Sequence, residues 1–256
     1  TEMIQQAANL IKNSKKPILY VGGGIIHSKA NRELFDLATK FNIPVVTTLM
    51  GRGAFPDGHE LCLEMPGMHG NYTATTSIQK SDLLIAIGVR FDDRVTANPS
   101  FFAQNAKVIH ADIDPAEIGK VREAQVPIVG DAKSVILGLI DALQDEELDT
   151  KNWINELNSM KTEHPLSYNQ DENGPLKVPF VLEELQDLTE EGAIVVSGVG
   201  QHQMWISQHW NFTEPNTWLN SGGLGTMGYS LPAAIGAKTA YPEKLVLALD
   251  GDGCFQ

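Results

Sequence analysis

The sequence predicts an α/β protein of two doubly wound parallel-sheet domains, the second of them truncated. Three observations carry this reading. Short apolar runs of strand length alternate with longer stretches whose apolar residues recur at helical spacing, as in βαβ units around a sheet covered on both faces. The alternation stops in an acidic, polar stretch and then restarts, dividing the chain into residues 1–145, a connection over 146–177 and a second domain over 178–256. Glycine-rich polar turns follow several of the strand-like runs, and ligands of open α/β sheets collect at the carboxyl ends of strands.

Met3, Ile4, Ala7, Ala8 and Ile11 share one face of a first helix, and Pro17 marks the break into the strand 18–21. Ala30, Leu34, Leu37, Ala38 and Phe41 form the stripe of the next helix. Strands are then expected at 43–47, 83–87, 108–110 and 128–129, and an amphipathic helix over 132–143 closes the domain. The connection holds one helix around 153–160. The second domain reads as a helix at 180–188, a strand at 193–197, helices at 202–209 and 231–239, and a strand at 245–249. With one strand edge open and an apolar face uncovered, this half is expected to be the less protease-resistant of the two.

A length of 256 residues is enough for full hydrophobic cores. The longest unbroken apolar runs, 83–87 and 245–249, are far too short to cross a bilayer, so no membrane role is expected. The formal charge of -13 disfavours nucleic acid and anionic membranes, which need a basic surface; any anionic ligand must be held locally by backbone NH groups, a few arginines or a metal ion. Cys62 and Cys254 stand far apart without CxxC spacing, which indicates neither a zinc site nor a disulfide framework and suits a reducing compartment. No secretory or transit pattern opens the chain. It begins inside an apparent helix and stops just after a strand, so it reads as a piece of a longer protein.

The densest chemical signal lies in the last 60 residues or so. The apolar run 245–249 enters Asp250-Gly251-Asp252-Gly253, a carboxylate among glycines that admits a diphosphate to the backbone and suits a hard cation such as Mg²⁺. Alone, such a triplet is most often a polar turn. Residues 221–228 lead into a helix with Pro232 in its first turn, where a missing NH does no harm, and a loop of this kind forms an anion cradle. Residues 197–205 again place glycines and polar side chains after a strand. Three such turns suggest one shared phosphate-bearing ligand.

In the first domain Gly22-Gly23-Gly24 fits no GxGxxG pattern and lacks the acidic residue expected downstream, which excludes an ordinary NAD fingerprint. Gly88 to Arg94 is more informative, because two arginines and two aspartates follow a buried strand. There arginine can grip phosphate and aspartate can accept from a ribityl or ribose hydroxyl.

Together, GVGQHQMW at 198–205, SGGLGTMGYSLPAAIGA at 221–237 and the GDG at 251–253 resemble the diphosphate-binding half of thiamine-diphosphate enzymes, and within them the large catalytic subunits of the acetohydroxyacid (acetolactate) synthases. RFDDR at 90–94, with TLMGRG, MPGMHG, HADIDPAEIG and VGDA, resembles their central FAD-binding domain, and the resemblance spans essentially the whole chain. It implies that Gln201 and His202 contact the diphosphate and that Gly225, Thr226 and Met227 hold the rings, with Met227 as the apolar prop that bends the cofactor. Gly251, Asp252 and Gly253 complete the thiamine-diphosphate set, and Asp252 ligates Mg²⁺. The FAD pocket would comprise Gly23, Thr48, Leu49, Gly67, Met68, His69, Gly88, Arg90, Asp92, Asp93, Arg94, Asp112, Ile113 and Asp131. Ser230 stands where the family carries glycine, without touching a site residue implied here.

The resemblance also implies the chemistry: decarboxylation of pyruvate on thiamine diphosphate and condensation of the two-carbon fragment with a second 2-ketoacid, pyruvate or 2-ketobutyrate, toward branched-chain amino acids. FAD does no net redox work in it. No catalytic residue is expected within these 256 residues, since the activating glutamate belongs to an N-terminal domain, and the piece alone should be inactive. Implied partners are a second copy or more of the chain and a regulatory small subunit, in the cytoplasm or, for a plant or alga, the plastid. Two alternatives predict different observables. Pyruvate oxidase or glyoxylate carboligase would give other products from the same architecture, and a non-catalytic FAD-binding module would show no thiamine-diphosphate or Mg²⁺ dependence.

Overall fold

A computed structural model describes residues 2–256 and divides them into two compact units, one running to Pro165 and the other from Leu166 to Gln256. In the first, helix α1 (Glu2–Asn13) leads into β1 (Pro17–Val21), the short α2 (Gly23–His27), α3 (Asn31–Phe41) and β2 (Val45–Thr47). Helix α4 (Tyr72–Lys80), β3 (Leu83–Ile87), the single turn α5 (Asp93–Thr96), β4 (Lys107–Asp112), β5 (Val126–Val129), α6 (Ala132–Ala142) and α7 (Lys151–Glu163) follow. The five strands form one parallel sheet in the order β2-β1-β3-β4-β5. The order reverses at β1/β3, the switch point where such sheets open a crevice for ligand.

Residue alternation explains why both faces are covered. Leu19, Val21, Ile85 and Ile87 point to the face packed by α1, α3 and α6, in a core with Ala7, Ile11, Leu34, Leu37, Ile136 and Leu139. Ile18, Tyr20, Leu84, Ala86 and Val108 point to the other face, against Ala74 and Ile78 of α4 and Trp153, Leu157 and Met160 of α7.

Helix α7 therefore belongs to this unit, whereas the sequence places residues 146–177 in a connection. The apolar positions 153, 157 and 160 lie on one helical face and complete the second core. The Trp153 indole NH donates to the Pro17 carbonyl at 3.2 Å, with Lys16 Nζ 4.9 Å from the ring centroid. Trp153→Ala should cost the first unit about 3–5 kcal/mol, as truncation of a buried aromatic does. A shift of its urea midpoint no larger than that of a surface substitution, about 0.5 kcal/mol or less, would make the helix a mere tether.

The second unit contains α8 (Val178–Asp187), β6 (Ile194–Ser197), α9 (Gln201–His209), β7 (Trp218–Asn220), α10 (Ser230–Ala240), β8 (Val246–Leu249) and the turn helix α11 (Asp252–Phe255). Its sheet is parallel with order β7-β6-β8, so the first strand in sequence is central. Ile194 and Val196 pack under Ala234 of α10, with Leu219, Tyr229, Ala237 and Val246 at the margin. β8 forms one edge of the sheet, and Leu245 beside it is exposed, as are Leu231 and Ile235 of α10. Among the described residues no helix is long and apolar enough to cross a membrane.

Candidate functional site

The strand ends of the first unit converge through their backbones. The Gly24 N–H donates to the Gly88 carbonyl at 3.0 Å, and a Cβ on Gly24 would come within 2.5 Å of Gly88 Cα. The turns after β1 and β3 therefore touch at the switch point, and only glycines permit this approach. Thr48 is tied to the end of β1 through its N–H to the Val21 carbonyl at 2.9 Å, and Leu49 begins the short 3₁₀ turn that follows. Gly88 is part of this bundle of turns, and a Cβ on Gly23 would stand 3.4 Å from the Met50 carbonyl oxygen. Gly67, Met68 and His69 reach the same end because the Met68 N–H donates to the Arg94 carbonyl at 2.8 Å. Met68 is largely exposed, as is Ile113 beyond β4, leaving apolar side chains on a polar strand-end surface. Partial burial holds the His69 imidazole below its ordinary basicity.

The charged segment 90–94 rests on an aromatic platform. Phe91 packs against Tyr20 and Phe102 and meets the His110 ring edge-on at 5.0 Å. Burial lowers the His110 pKa, and the neutral ring donates from Nε2 to the Val89 carbonyl at 3.0 Å while Nδ1 accepts from the Gly119 N–H. Anchored this way, the segment presents Arg90 and Arg94 mostly to solvent. Asp92 is committed locally: Oδ1 accepts from the Arg94 N–H, capping α5, and Oδ2 accepts from Arg90 at 3.0 Å. Asp93 pairs with Arg94 at 3.5 Å. Asp112 accepts from the Asp114 N–H, and Asp131 caps α6 by accepting from the Ser134 N–H, so each spends one oxygen on its own turn.

A buried ion pair that sequence reasoning missed fixes the loop after β2. Arg52 donates to Asp57 Oδ1 at 2.7 Å, with both side chains almost fully enclosed and the Cys62 thiol on the same oxygen. Burial and the neighbouring Asp57 push the Cys62 thiol far up from its ordinary pKa. No local motif signals this pairing, because an Arg and an Asp five residues apart in a loop look like any solvated charges.

In the second unit all three glycine-rich turns meet. A Cβ on Gly253 would lie 2.7 Å from the Met227 methyl, one on Gly228 would lie 3.8 Å from the Cys254 carbonyl, and one on Gly225 would lie 3.8 Å from Val199. The His202 ring lies against Gly251, where an added Cβ would be 3.1 Å from Nδ1. Thr226 is oriented by its N–H donating to Ser221 Oγ at 2.9 Å, and Gln201 is exposed at the start of α9. The sequence-predicted residues Gln201, His202, Gly225, Thr226, Met227, Gly251, Asp252 and Gly253 thus lie on turns that meet at one end of the sheet. Met227 stays half-exposed, which a core-filling methionine would not.

The residue that ties these turns together is Asp250. Its Oδ1 accepts from the Gly198 N–H at 3.0 Å and lies 3.5 Å from His202 Nε2, while Oδ2 accepts from the Ser230 hydroxyl. Asp252, by contrast, is exposed at the first position of α11. Ser230 is therefore no bystander: it is fully buried and bonds the carboxylate that lies 3.5 Å from His202 Nε2. Cys254 is the other residue missed. It is buried, accepts from the Val199 N–H and donates to the Val199 carbonyl, each at 3.2 Å.

Sheets of this order, with one set of glycine turns at a switch point and another beside an exposed carboxylate, define an α/β protein of two parallel-sheet units. Residues 4–139 match the family model described as thiamine pyrophosphate enzyme, central domain, and residues 198–256 match that of the C-terminal TPP binding domain. The chain belongs to the thiamine pyrophosphate enzymes. It is 55% identical over 257 residues to an acetolactate synthase of Mycobacterium leprae, covering 99% of this chain and 41% of that protein. An acetolactate synthase large subunit of Corynebacterium glutamicum is 53% identical, with 99% and 41% covered. The chloroplastic acetolactate synthase of Arabidopsis thaliana is 46% identical, with 98% and 38% covered. The chain thus spans about two fifths of the length of these relatives.

Proposed function

We propose that this chain is the central and cofactor-binding part of an acetohydroxyacid synthase, which joins the decarboxylated fragment of pyruvate to a second 2-ketoacid, pyruvate or 2-ketobutyrate. The observation that carries the reading is the meeting of three glycine-rich strand-end turns around His202 and Met227, with one exposed carboxylate, Asp252. The names of relatives identical at about half of all positions, from bacteria and plants, support the same activity.

The residues fit thiamine diphosphate and Mg²⁺. Gln201, His202 and the backbone of 251–253 would hold the diphosphate, Gly225 to Met227 the rings, and Asp252 the cation, a hard oxygen ligand in keeping with its preference. When bound, thiamine diphosphate supplies the electron sink for decarboxylating a 2-ketoacid. The chain's own work is placement. The His202 ring lies against Gly251 with Nε2 3.5 Å from Asp250 Oδ1, and Met227 offers an apolar surface at the mouth of the turns. FAD would lie across the strand ends of the first unit, with Arg90 and Arg94 available to its phosphates and the exposed Met68 and Ile113 beside its rings. A second copy of the chain and a regulatory subunit would complete the protein, in the cytoplasm or, in a plant or alga, the plastid.

Incubating the full-length protein with pyruvate, thiamine diphosphate and Mg²⁺ tests the activity. Acetolactate is the expected product; acetyl phosphate or acetate would make the protein an oxidase and overturn the proposal. In the same protein Arg94→Ala should weaken FAD by the charge-assisted contact it removes, about 1.5–3 kcal/mol. Unchanged flavin retention on gel filtration would remove Arg94 from the pocket.

A further inference from the structure

We infer that His202, Asp250 and Cys254 form a binding site for a thiophilic divalent cation of the zinc class, with a ligand set different from the Mg²⁺ position at Asp252. One ligand atom from each of the three lies within 4.8 Å of the others. They come from two turns that meet: His202 follows β6, and Asp250 and Cys254 follow β8. Gly198 makes room for them. A Cβ there would fall 2.7 Å from Cys254 Sγ and against Asp250 Oδ1, so sulfur and oxygen flank one small space. His202 Nε2 is a buried atom without a hydrogen-bond partner, 3.5 Å from that same oxygen.

A nitrogen, a sulfur and a single carboxylate oxygen suit a four-coordinate Zn²⁺ with one position left for water or an anion. They do not suit Mg²⁺, which takes oxygen ligands in octahedral array. The surroundings hold the set in place, as outer partners of metal ligands do. Ser230 and the Gly198 N–H fix the Asp250 carboxylate, and the Val199 N–H already points at Cys254 Sγ. On coordination the thiol proton passes to solvent and the hydrogen bond to the Val199 carbonyl is exchanged for a metal–sulfur bond. No oxidation is involved. The sequence separation of His202 from Asp250 and Cys254 hides such a site, because its ligands are assembled by strand order and not by a CxxC spacing.

One consequence rests on the thiamine-diphosphate reading: the ion and the diphosphate both claim His202, so each should exclude the other. Co²⁺ added to metal-stripped full-length protein without thiamine diphosphate is the probe. We expect intense tetrahedral d–d bands and a thiolate-to-cobalt charge-transfer band, both removed by equimolar Zn²⁺. Cys254→Ser should abolish the charge-transfer band and lower affinity about a hundredfold or more, since even outer partners of a metal site are worth about 10–100-fold. A weak octahedral spectrum without charge transfer in the unmodified protein overturns the site whether or not the variant folds, and so does a band that survives Cys254→Ser. In a second arm, saturating thiamine diphosphate with Mg²⁺ should release the cobalt. Cobalt retained beside bound thiamine diphosphate would leave the metal site standing and overturn His202 as a diphosphate contact.

Discussion

Asp252→Ala in the full-length protein is expected to abolish acetolactate formation and thiamine-diphosphate binding while leaving FAD bound and the fold intact. The two carboxylates of the turn after β8 have divided their work. Asp250 is enclosed and accepts from the Gly198 N–H and the Ser230 hydroxyl, so its removal would loosen three turns at once. Asp252 is exposed at the head of a four-residue helix, and truncating a side chain in such a position usually changes stability by no more than about 0.5 kcal/mol. On the proposed reading the alanine would remove the negative site for the cation. A diphosphate approaching Asp250 in a chain of formal charge -13 is repelled unless a divalent ion reverses the local sign. On the proposed reading FAD would depend on strand ends of the other unit, so the two losses should separate. Titration with thiamine diphosphate and Mg²⁺ while following flavin absorbance reads both at once. Near-normal thiamine-diphosphate affinity, or a parallel loss of flavin, would move the metal position away from Asp252.

Much of this arrangement was legible as periodicity. Strands such as 83–87 are continuous apolar runs because parallel sheets are covered on both faces, and α1 and α3 carry apolar stripes because each buries one side. Helix α4 escaped because its sequence, YTATTSIQK, is rich in β-branched threonine and buries Thr73 and Ser77 beside Ala74 and Ile78; the Asn71 cap on the Ala74 N–H starts it instead. Strand β7 escaped because three residues, Trp218 to Asn220, are too few to show a period. Glycines and charges at strand ends marked both candidate sites, since a turn that faces a ligand keeps its chemistry local in sequence. The contacts that hold those turns were not legible. Arg52 with Asp57, His110 under Val89, and Ser230 with Asp250 each join side chains whose partnership exists only once the chain is folded. The helix at 151–163 was visible, but its docking on the first unit was not, because an acidic, polar context around Trp153, Leu157 and Met160 reads as a connection until a sheet face needs covering.

Gly88→Ala is expected to strip flavin from the full-length protein and to destabilise its first unit. Gly88 holds φ at +58°, where an L side chain costs roughly 1–2 kcal/mol. Its added Cβ would come within 2.6 Å of Gly24 Cα and 3.0 Å of Gly24 C, which are backbone atoms that no rotamer change can withdraw. Overpacking of that kind adds about 1–3 kcal/mol, so a loss of roughly 2–5 kcal/mol is expected in all. The strain falls on the turns after β1 and β3, at the point where the strand order reverses, and it should push Gly24 and the segment 90–94 apart. Gly58→Ala is the control, because an added Cβ there meets nothing within 4 Å and that variant should keep both flavin and urea midpoint. Should Gly88→Ala match the control in both measurements, the interlocked turns contribute nothing. A lowered midpoint with flavin fully retained would leave the packing argument intact and remove the β1/β3 switch point as the place where FAD binds.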